Sequence, residues 1–234
     1  MAELERISPD WSGEPCIVAA PGPSLTDEVV KRCRMKRWFD GWRIIAVQDS
    51  YRLMPFADAL YGCDSHWWNI HKTCDGFAGE RWSTHAQDNE KLKEADAYGL
   101  RLVAGKDGDR FSFDPGLIYY GSNSGFQAVN LALLKGCRYI VLVGFDMRVV
   151  EGKRHFFGDH PKPCHNGADY GTFARRFDSA AVHLPGDVRI VNATPGSALR
   201  CFPMMDLEAA LADTAGRQDG LLHRDGTERH SAAG

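Results

Sequence analysis

The sequence has none of the features that would assign it to a membrane-spanning, secreted or nucleic-acid-binding class. No stretch approaches the roughly 20 apolar residues of a membrane-spanning helix, and Glu3, Glu5 and Asp10 stand where a signal peptide is basic and then apolar. The 28 lysines and arginines are balanced by 31 acidic residues, and a net charge of −3 gives no field that would attract nucleic acid. We therefore expect a cytoplasmic protein without a membrane span. Its oligomeric state is open, a homo-oligomer included.

Paired cysteines and the common catalytic signatures are also missing. The seven cysteines are an odd number and form no CxxC pair, so the sequence indicates neither a disulfide framework nor a cysteine zinc knuckle. There is no GxGxxG fingerprint, no GxxxxGK[ST] phosphate loop, no GxSxG elbow and no HExxH helix. Any nucleotide or catalytic site must therefore be built from other residues.

Short apolar runs alternate with helical patterns along most of the 234 residues. The runs that predict buried strands are 15–20, 43–48, 59–63, 99–104, 138–143 and 187–192. Helices are predicted after the cap residue Thr26 and at 89–97, 126–136, 170–183 and 206–212, with 126–136 amphipathic and ended by Gly136. The stretches 76–83 and 105–115 show no clear pattern. This alternation predicts one α/β domain over 1–213, a Rossmann-like, doubly wound, mainly parallel sheet with helices on both faces, and a disordered tail over 214–234.

Polar residues follow several predicted strands, at the edge of the sheet where such folds bind their ligands. Candidate nucleotide contacts at strand ends are Gly22, Pro23, Ser24, Gln48, Asp49 and Asp146. The helix start at Ser122, Asn123, Ser124 and Gly125 offers hydroxyls and free amides to an anionic group. Each of these segments also has a plainer interpretation as a turn or a helix cap.

A long segment with many titratable side chains, 148–169, follows the strand that ends in Gly-Phe-Asp. It is too long to be a mere connection and is a candidate flap over an active site. His155 and His160 are candidate catalytic acid or base groups on it, and Asp64, which follows another strand, is a third. A zinc site is the competing interpretation for the segment, although its spacing fits no standard zinc motif; the candidate ligands are His155, His160, Cys164 and His165.

Taken in order, the segments 17–25, 46–50, 122–125, 132–136, 139–146 and 155–158 resemble three related groups of proteins. These are the bacterial sialyltransferases that use a CMP-activated sugar, the MptE-type proteins that include 6-hydroxymethylpterin pyrophosphokinases, and a group of tailed-phage proteins of unassigned function. The phage group is the nearest, because residues 56–64 with Trp67 and Trp68 are typical of it. The resemblance covers about 16–211, and a phage origin would imply the host cytoplasm.

The resemblance implies roles for particular residues. In the sialyltransferases the equivalent turns hold the cytidine nucleotide and a flap histidine is the base; the positions here are Gly22, Pro23, Ser24, Gln48, Ser124, Gly125 and His155. Gln48 stands where asparagine is usual, and Met147, Arg148 and Val149 stand where tyrosines steady the leaving phosphate. Arg148, Lys153 or Arg154 would then neutralise that phosphate.

Our leading hypothesis is a nucleotide-dependent, glycosyltransferase-like enzyme without a metal or other cofactor. It would transfer a group from a nucleotide-activated donor to a hydroxyl of a small-molecule or glycan-like acceptor, with His155 as the base. One alternative is an MptE-like pyrophosphokinase that uses ATP and Mg²⁺, with Asp64 and Asp146 as metal ligands. Another is a non-catalytic phage accessory or morphogenesis protein, since fold does not fix function.

Overall fold

The computed structural model describes residues 4–85, 95–162, 164 and 167–213. Part of the predicted helix at 89–97 and all of the predicted tail at 214–234 lie outside the described residues, as does His165 of the candidate zinc set. Within the described ranges no helix is long and apolar enough to cross a membrane.

In the described part of the chain, eight parallel strands form a single sheet in the order β6-β5-β4-β3-β2-β1-β7-β8. Their bounds are β1 Cys16–Ala19, β2 Arg43–Val47, β3 Ala59–Tyr61, β4 Glu80–His85, β5 Leu100–Lys106, β6 Leu117–Tyr119, β7 Tyr139–Val143 and β8 Arg189–Asn192. The continuous apolar runs of β1 and β7 are fully buried, as expected for strands covered on both faces of a parallel sheet. The α/β prediction is confirmed.

Helices connect the strands, and most begin at a side-chain cap. Their bounds are α1 Asp27–Asp40, α2 Ser65–His71, α3 Ala95–Tyr98, α4 Ser124–Leu134, α5 Tyr170–Ala181 and α6 Leu207–Ala212. Thr26 caps α1 as predicted, and the carboxylate of Asp64 accepts hydrogen bonds from the first amides of α2. Trp67 and Trp68 of α2 are fully buried, which fixes this short helix against the sheet.

Helix α4 is buried on every side, although its sequence predicts an amphipathic helix with one polar face. It contacts β1, β2, β3 and β6 as the chain returns from the edge of the sheet to β7. Its polar side chains are satisfied internally: Gln127 accepts from the hydroxyls of Tyr61 and Thr84, and Asn130 pairs with the backbone of Ser112.

Two strands lie where no strand was predicted. β4 was not predicted because its sequence, Glu-Arg-Trp-Ser-Thr-His, is largely polar; it overlaps the stretch 76–83, which shows no clear pattern. β6 was not predicted because it is only three residues long. Ser83 and Thr84 of β4 are nevertheless buried, so the position in the sheet decides this strand where the sequence lacks an apolar run.

The chain reverses its direction of winding at β1. Strands β2 to β6 build outward on one side of β1, whereas β7 and β8 build outward on the other. The carboxyl ends of β1 and β7 therefore border a crevice, which is where doubly wound folds bind ligands. The described part of the predicted flap, 148–169, contains only two isolated bridges and lies over this crevice, its Phe156 amide donating to the Pro21 carbonyl at 3.0 Å.

Candidate functional site

Two adjoining cavities lie at the carboxyl edge of the sheet. The first, here the switch cavity, is bordered by the turns after β1 and β7, the start of α4, the flap and α5. It is lined by Ala20, Pro21, Gly22, Val47, Gln48, Asn123, Ser124, Gly125, Gly144, Phe145, Asp146, Met147, Arg154, His155, Ala168, Tyr170 and Phe173.

The second, here the flap cavity, lies between the end of β3 and the flap. It is lined by Gln48, Cys63, Asp64, Trp67, Ser122, Asn123, Ser124, His155, His160, Cys164, Gly167, Ala168 and Phe173. His155 and Gln48 line both cavities, so the flap imidazole stands where the two meet.

The turn after β1 is closed by the protein itself. The Ser24 amide and hydroxyl both donate to Oδ2 of Asp146, at 3.2 and 2.7 Å, and the Gly22 amide donates to the Gly144 carbonyl. A Cβ on Gly22 would lie 2.1 Å from that same Asp146 oxygen, so only glycine fits. Gly22 and Asp146 line the switch cavity, whereas Pro23 and Ser24 line neither cavity.

The start of α4, by comparison, has backbone amides that no other group of its helix uses. The Asn123 side chain accepts from the Phe126 amide at 2.8 Å, and the Ser124 hydroxyl accepts from the Cys63 amide at 3.1 Å. The Ser124 and Gly125 amides, at the first two helical positions, have no acceptor within their own helix, and both residues line the switch cavity. These amides and the positive end of an 11-residue helix can bind an anionic group.

Backbone strain is concentrated around the cavities. Six non-glycine residues in the described part of the chain have a positive φ, and three of them, Gln48, Ser122 and Met147, line a cavity. Such conformations cost free energy and persist where the surroundings impose them, often at binding sites.

Asp49 lies below the flap cavity and lines neither cavity, because its carboxylate is buried beneath Trp67 and His160. Burial alone would raise the pKa of Asp49, but hydrogen bonds from His160 and Trp67 and the neighbouring charge of His71 outweigh it and lower the pKa. The position predicted to contact a nucleotide is thus an internal anion. The pKa of His71 is lowered, mainly by burial.

The flap imidazole of His155 is kept neutral. Burial, together with His160, lowers the pKa of His155 to about 4. Its ring stacks on Phe157 at 5.1 Å and lies 4.6 Å from the ring of His160, measured between centroids. Near neutral pH the imidazole is therefore unprotonated.

Of the other predicted residues, some line a cavity and some do not. Asp64 lines the flap cavity, with Oδ1 accepting the His66 amide at 2.7 Å. Arg148 and Lys153, predicted phosphate contacts, line neither cavity, and the Arg148 Nε donates to the Gly196 carbonyl at 2.8 Å. Among the described flap residues, Arg154 is a cation that lines the switch cavity.

Tyr170 of α5 is a site residue that sequence reasoning missed. It lines the switch cavity, and its hydroxyl is buried without a hydrogen-bond partner in the described part of the chain. Burial raises its pKa, so the hydroxyl remains a donor. Its place at the start of a helix after a long loop gives no sequence signal for a ligand contact.

Among residues 4–85, 95–162, 164 and 167–213, no group of three or more His, Cys, Asp or Glu side chains is arranged so that it could hold a metal ion. Oδ2 of Asp146 is occupied by Ser24, and Oδ1 of Asp64 caps α2.

Comparison with known proteins gives a distant structural likeness. No protein-family model and no curated protein matches the chain. The fold is similar to the structure of the Maf glycosyltransferase from Magnetospirillum magneticum AMB-1, with a TM-score of 0.60 and 12% identity over 87% of this chain. The chain spans 35% of the length of that protein. At this identity the likeness supports the Rossmann-like fold.

Proposed function

We propose that the chain is a nucleotide-dependent transferase of the glycosyltransferase type, which moves a group from a nucleotide-activated donor to an acceptor hydroxyl. The observation that carries this proposal is the position of His155 at the junction of two cavities. One cavity has the features of an anion site, and the other contains polar side chains suited to an acceptor.

The switch cavity supports the donor half of the proposal. The Ser124 and Gly125 amides, the Arg154 side chain and the Tyr170 hydroxyl all border it, and each can donate a hydrogen bond to a phosphate. The net charge of −3 supplies no general attraction for an anion, so these local donors would have to hold the nucleotide.

The reaction then uses groups already in place. The acceptor oxygen forms a bond to the donor carbon, and the bond from that carbon to the phosphate oxygen breaks, leaving its electron pair on the phosphate. The acceptor proton passes to neutral His155, and the new phosphate charge is stabilised by Arg154 and the start of α4. With a pKa of about 4, His155 is unprotonated at neutral pH.

Thermal unfolding with added nucleotides tests binding. We expect CMP or a nucleotide-diphosphate sugar, without metal, to raise Tm by several degrees, since a ligand at 100 times its Kd contributes about 2.7 kcal/mol. Stabilisation by ATP only when Mg²⁺ is present would instead support the pyrophosphokinase. If no nucleotide raises Tm, both enzymatic functions fail and the non-catalytic alternative is left.

Replacing His155→Gln tests the chemistry. The variant should retain nucleotide binding and lose turnover by about 10²- to 10⁴-fold, measured as release of free nucleotide from the donor that binds. His183→Gln, at an exposed position after α5, is the matched control and should leave the rate unchanged. Full activity of His155→Gln would contradict the assigned base.

A further inference from the structure

Asp49 is a buried carboxylate that the proposed reaction does not use. It lies in the 3-10 turn that follows β2, its side chain is 2% exposed, and the Trp67 indole donates to Oδ2 at 2.7 Å. Three groups that can carry positive charge face it: Arg52 and His71 at 3.5 and 3.7 Å from Oδ1, and His160 Nδ1 at 3.3 Å from Oδ2. Burying a carboxylate is costly, so an arrangement this specific requires a reason.

Only one of these partners belongs to the flap. Arg52, Trp67 and His71 lie on the turn after β2 and on α2, whereas His160 comes from the loop that follows β7. The contact between Asp49 and His160 therefore ties the flap to the body of the sheet.

His160 in turn contacts His155 through a cluster of aromatic rings. The centroid of His160 lies 4.6 Å from that of His155 and 5.0 Å from that of Phe157, and Phe157 stacks on His155. Arg52 lies over the Phe157 ring at 5.9 Å, so the turn that carries Asp49 supports this cluster at two points.

We propose that Asp49 is a positioning residue that holds His160, and through the ring cluster His155, at the junction of the switch and flap cavities. Its importance for turnover rests on the proposed function, but its effect on the flap can be measured without any substrate.

A positioning role and a purely electrostatic role predict opposite results for His155. Burial is the largest cause that lowers the pKa of His155 to about 4; His160 and Arg154 lower it further, while Asp49 and Asp159 raise it. If Asp49 acts only as a nearby charge, its removal lowers the pKa of His155. If it holds the flap in place, its removal exposes the imidazole, and the pKa rises toward about 6.5.

The experiment is a histidine side-chain NMR titration of the full chain carrying Asp49→Asn, with the His155 signal assigned by its loss in His155→Gln. We expect the His155 midpoint to rise by about one pH unit or more. A midpoint that stays near 4 or falls overturns the positioning role. Asp75→Asn, which removes an exposed carboxylate beyond α2, is the control and should leave the midpoint unchanged.

Trp67→Phe provides a second route if Asp49→Asn does not fold, because it removes the indole donor to Asp49 and keeps an aromatic ring in the core. Amide exchange at Phe156, whose N–H donates to the Pro21 carbonyl, should accelerate by about tenfold in either variant as the flap opens locally. Unchanged exchange together with an unchanged His155 midpoint in folded Trp67→Phe refutes the proposal. Neither measurement involves a nucleotide, so both remain informative if the transferase function fails.

Discussion

Two glycine- and serine-containing turns border the switch cavity, and only one has amides available to a ligand. In the turn after β1, Oδ2 of Asp146 already accepts the Ser24 amide and hydroxyl. At the start of α4, the Ser124 and Gly125 amides have no acceptor in their helix and adjoin the cavity. The amide of the first turn is bound by a carboxylate of the protein itself, whereas the amides of the second can bind an anionic group of a ligand.

The difference shows that a turn motif alone does not determine an anion site. A glycine beside a helix start supplies amides, but a carboxylate from another strand can use them first. In the closed turn the buried Asp146 accepts the Ser24 hydrogen bonds, and it thereby connects the turn after β1 to the turn after β7.

Replacing one glycine by alanine in each turn should give the largest difference in the free energy of unfolding. In Gly22→Ala the new Cβ would lie 2.1 Å from Asp146 Oδ2 and 2.3 Å from the Gly144 carbonyl oxygen, and the latter is backbone that cannot move aside. We expect a loss of about 3 kcal/mol in the free energy of unfolding, measured in urea. In Gly125→Ala the nearest atoms, at 2.9 and 3.1 Å, belong to the side chains of Phe145 and Asn123, and the loss should be about 1 kcal/mol.

Gly186→Ala, where a Cβ would meet nothing within 4 Å, is the control for this pair. Equal losses for Gly22→Ala and Gly125→Ala would mean that the two turns are equally open.

The closed turn shows why sequence reasoning succeeded for the fold and only partly for the site. Continuous apolar runs predict β1, β2 and β7 because burial on both faces leaves a local signature, which the polar β4 lacks. The bond between Ser24 and Asp146 joins residues 122 positions apart and leaves no local signature at all.

The same reasoning applies to the flap. Its length and histidine content are visible in the sequence, and they led to His155. Which flap cation faces the switch cavity depends on how the loop folds back, and the structure gives that place to Arg154 and not to Arg148.

The flap rests on the closed turn through the Phe156 amide, and this can be tested by pH. The pKa of His155 is about 4 in the folded protein and about 6.5 when the chain is unfolded. As pH falls, the unfolded chain takes up the proton first, so stability is complete above about pH 6.5 and is lost toward pH 4. In His155→Gln the loss of unfolding free energy toward pH 4 should be smaller by about 2 kcal/mol. This value is set below the full effect of the pKa shift because the side chain is partly exposed.

Urea unfolding at pH 7 and pH 4.5 measures this difference. Parallel pH dependences for the native chain and His155→Gln would show that the imidazole is not buried in the folded protein. His183→Gln, which changes an exposed histidine, should follow the native chain.

Arginine substitutions test the open side of the switch cavity. Arg154→Ala removes a cation that lines the cavity and should weaken nucleotide binding about tenfold, as expected for one charge-assisted hydrogen bond. Arg148→Ala removes a cation of the same flap that donates to the Gly196 carbonyl, and the affinity should stay within about twofold. The reverse order in isothermal titration calorimetry would return the phosphate role to Arg148.

The smallest expected effect concerns the serine of the closed turn. Because the Ser24 hydroxyl donates to Asp146 and lines neither cavity, Ser24→Ala should cost about 1 kcal/mol of stability through the lost hydrogen bond. Its nucleotide affinity should remain within about twofold of the native value, since the hydroxyl already donates to Asp146. A clear loss of affinity without a loss of stability would mean that Asp146 releases Ser24 when a nucleotide binds. The turn would then be closed only in the absence of ligand, and the contrast between the two turns would describe two states of one site.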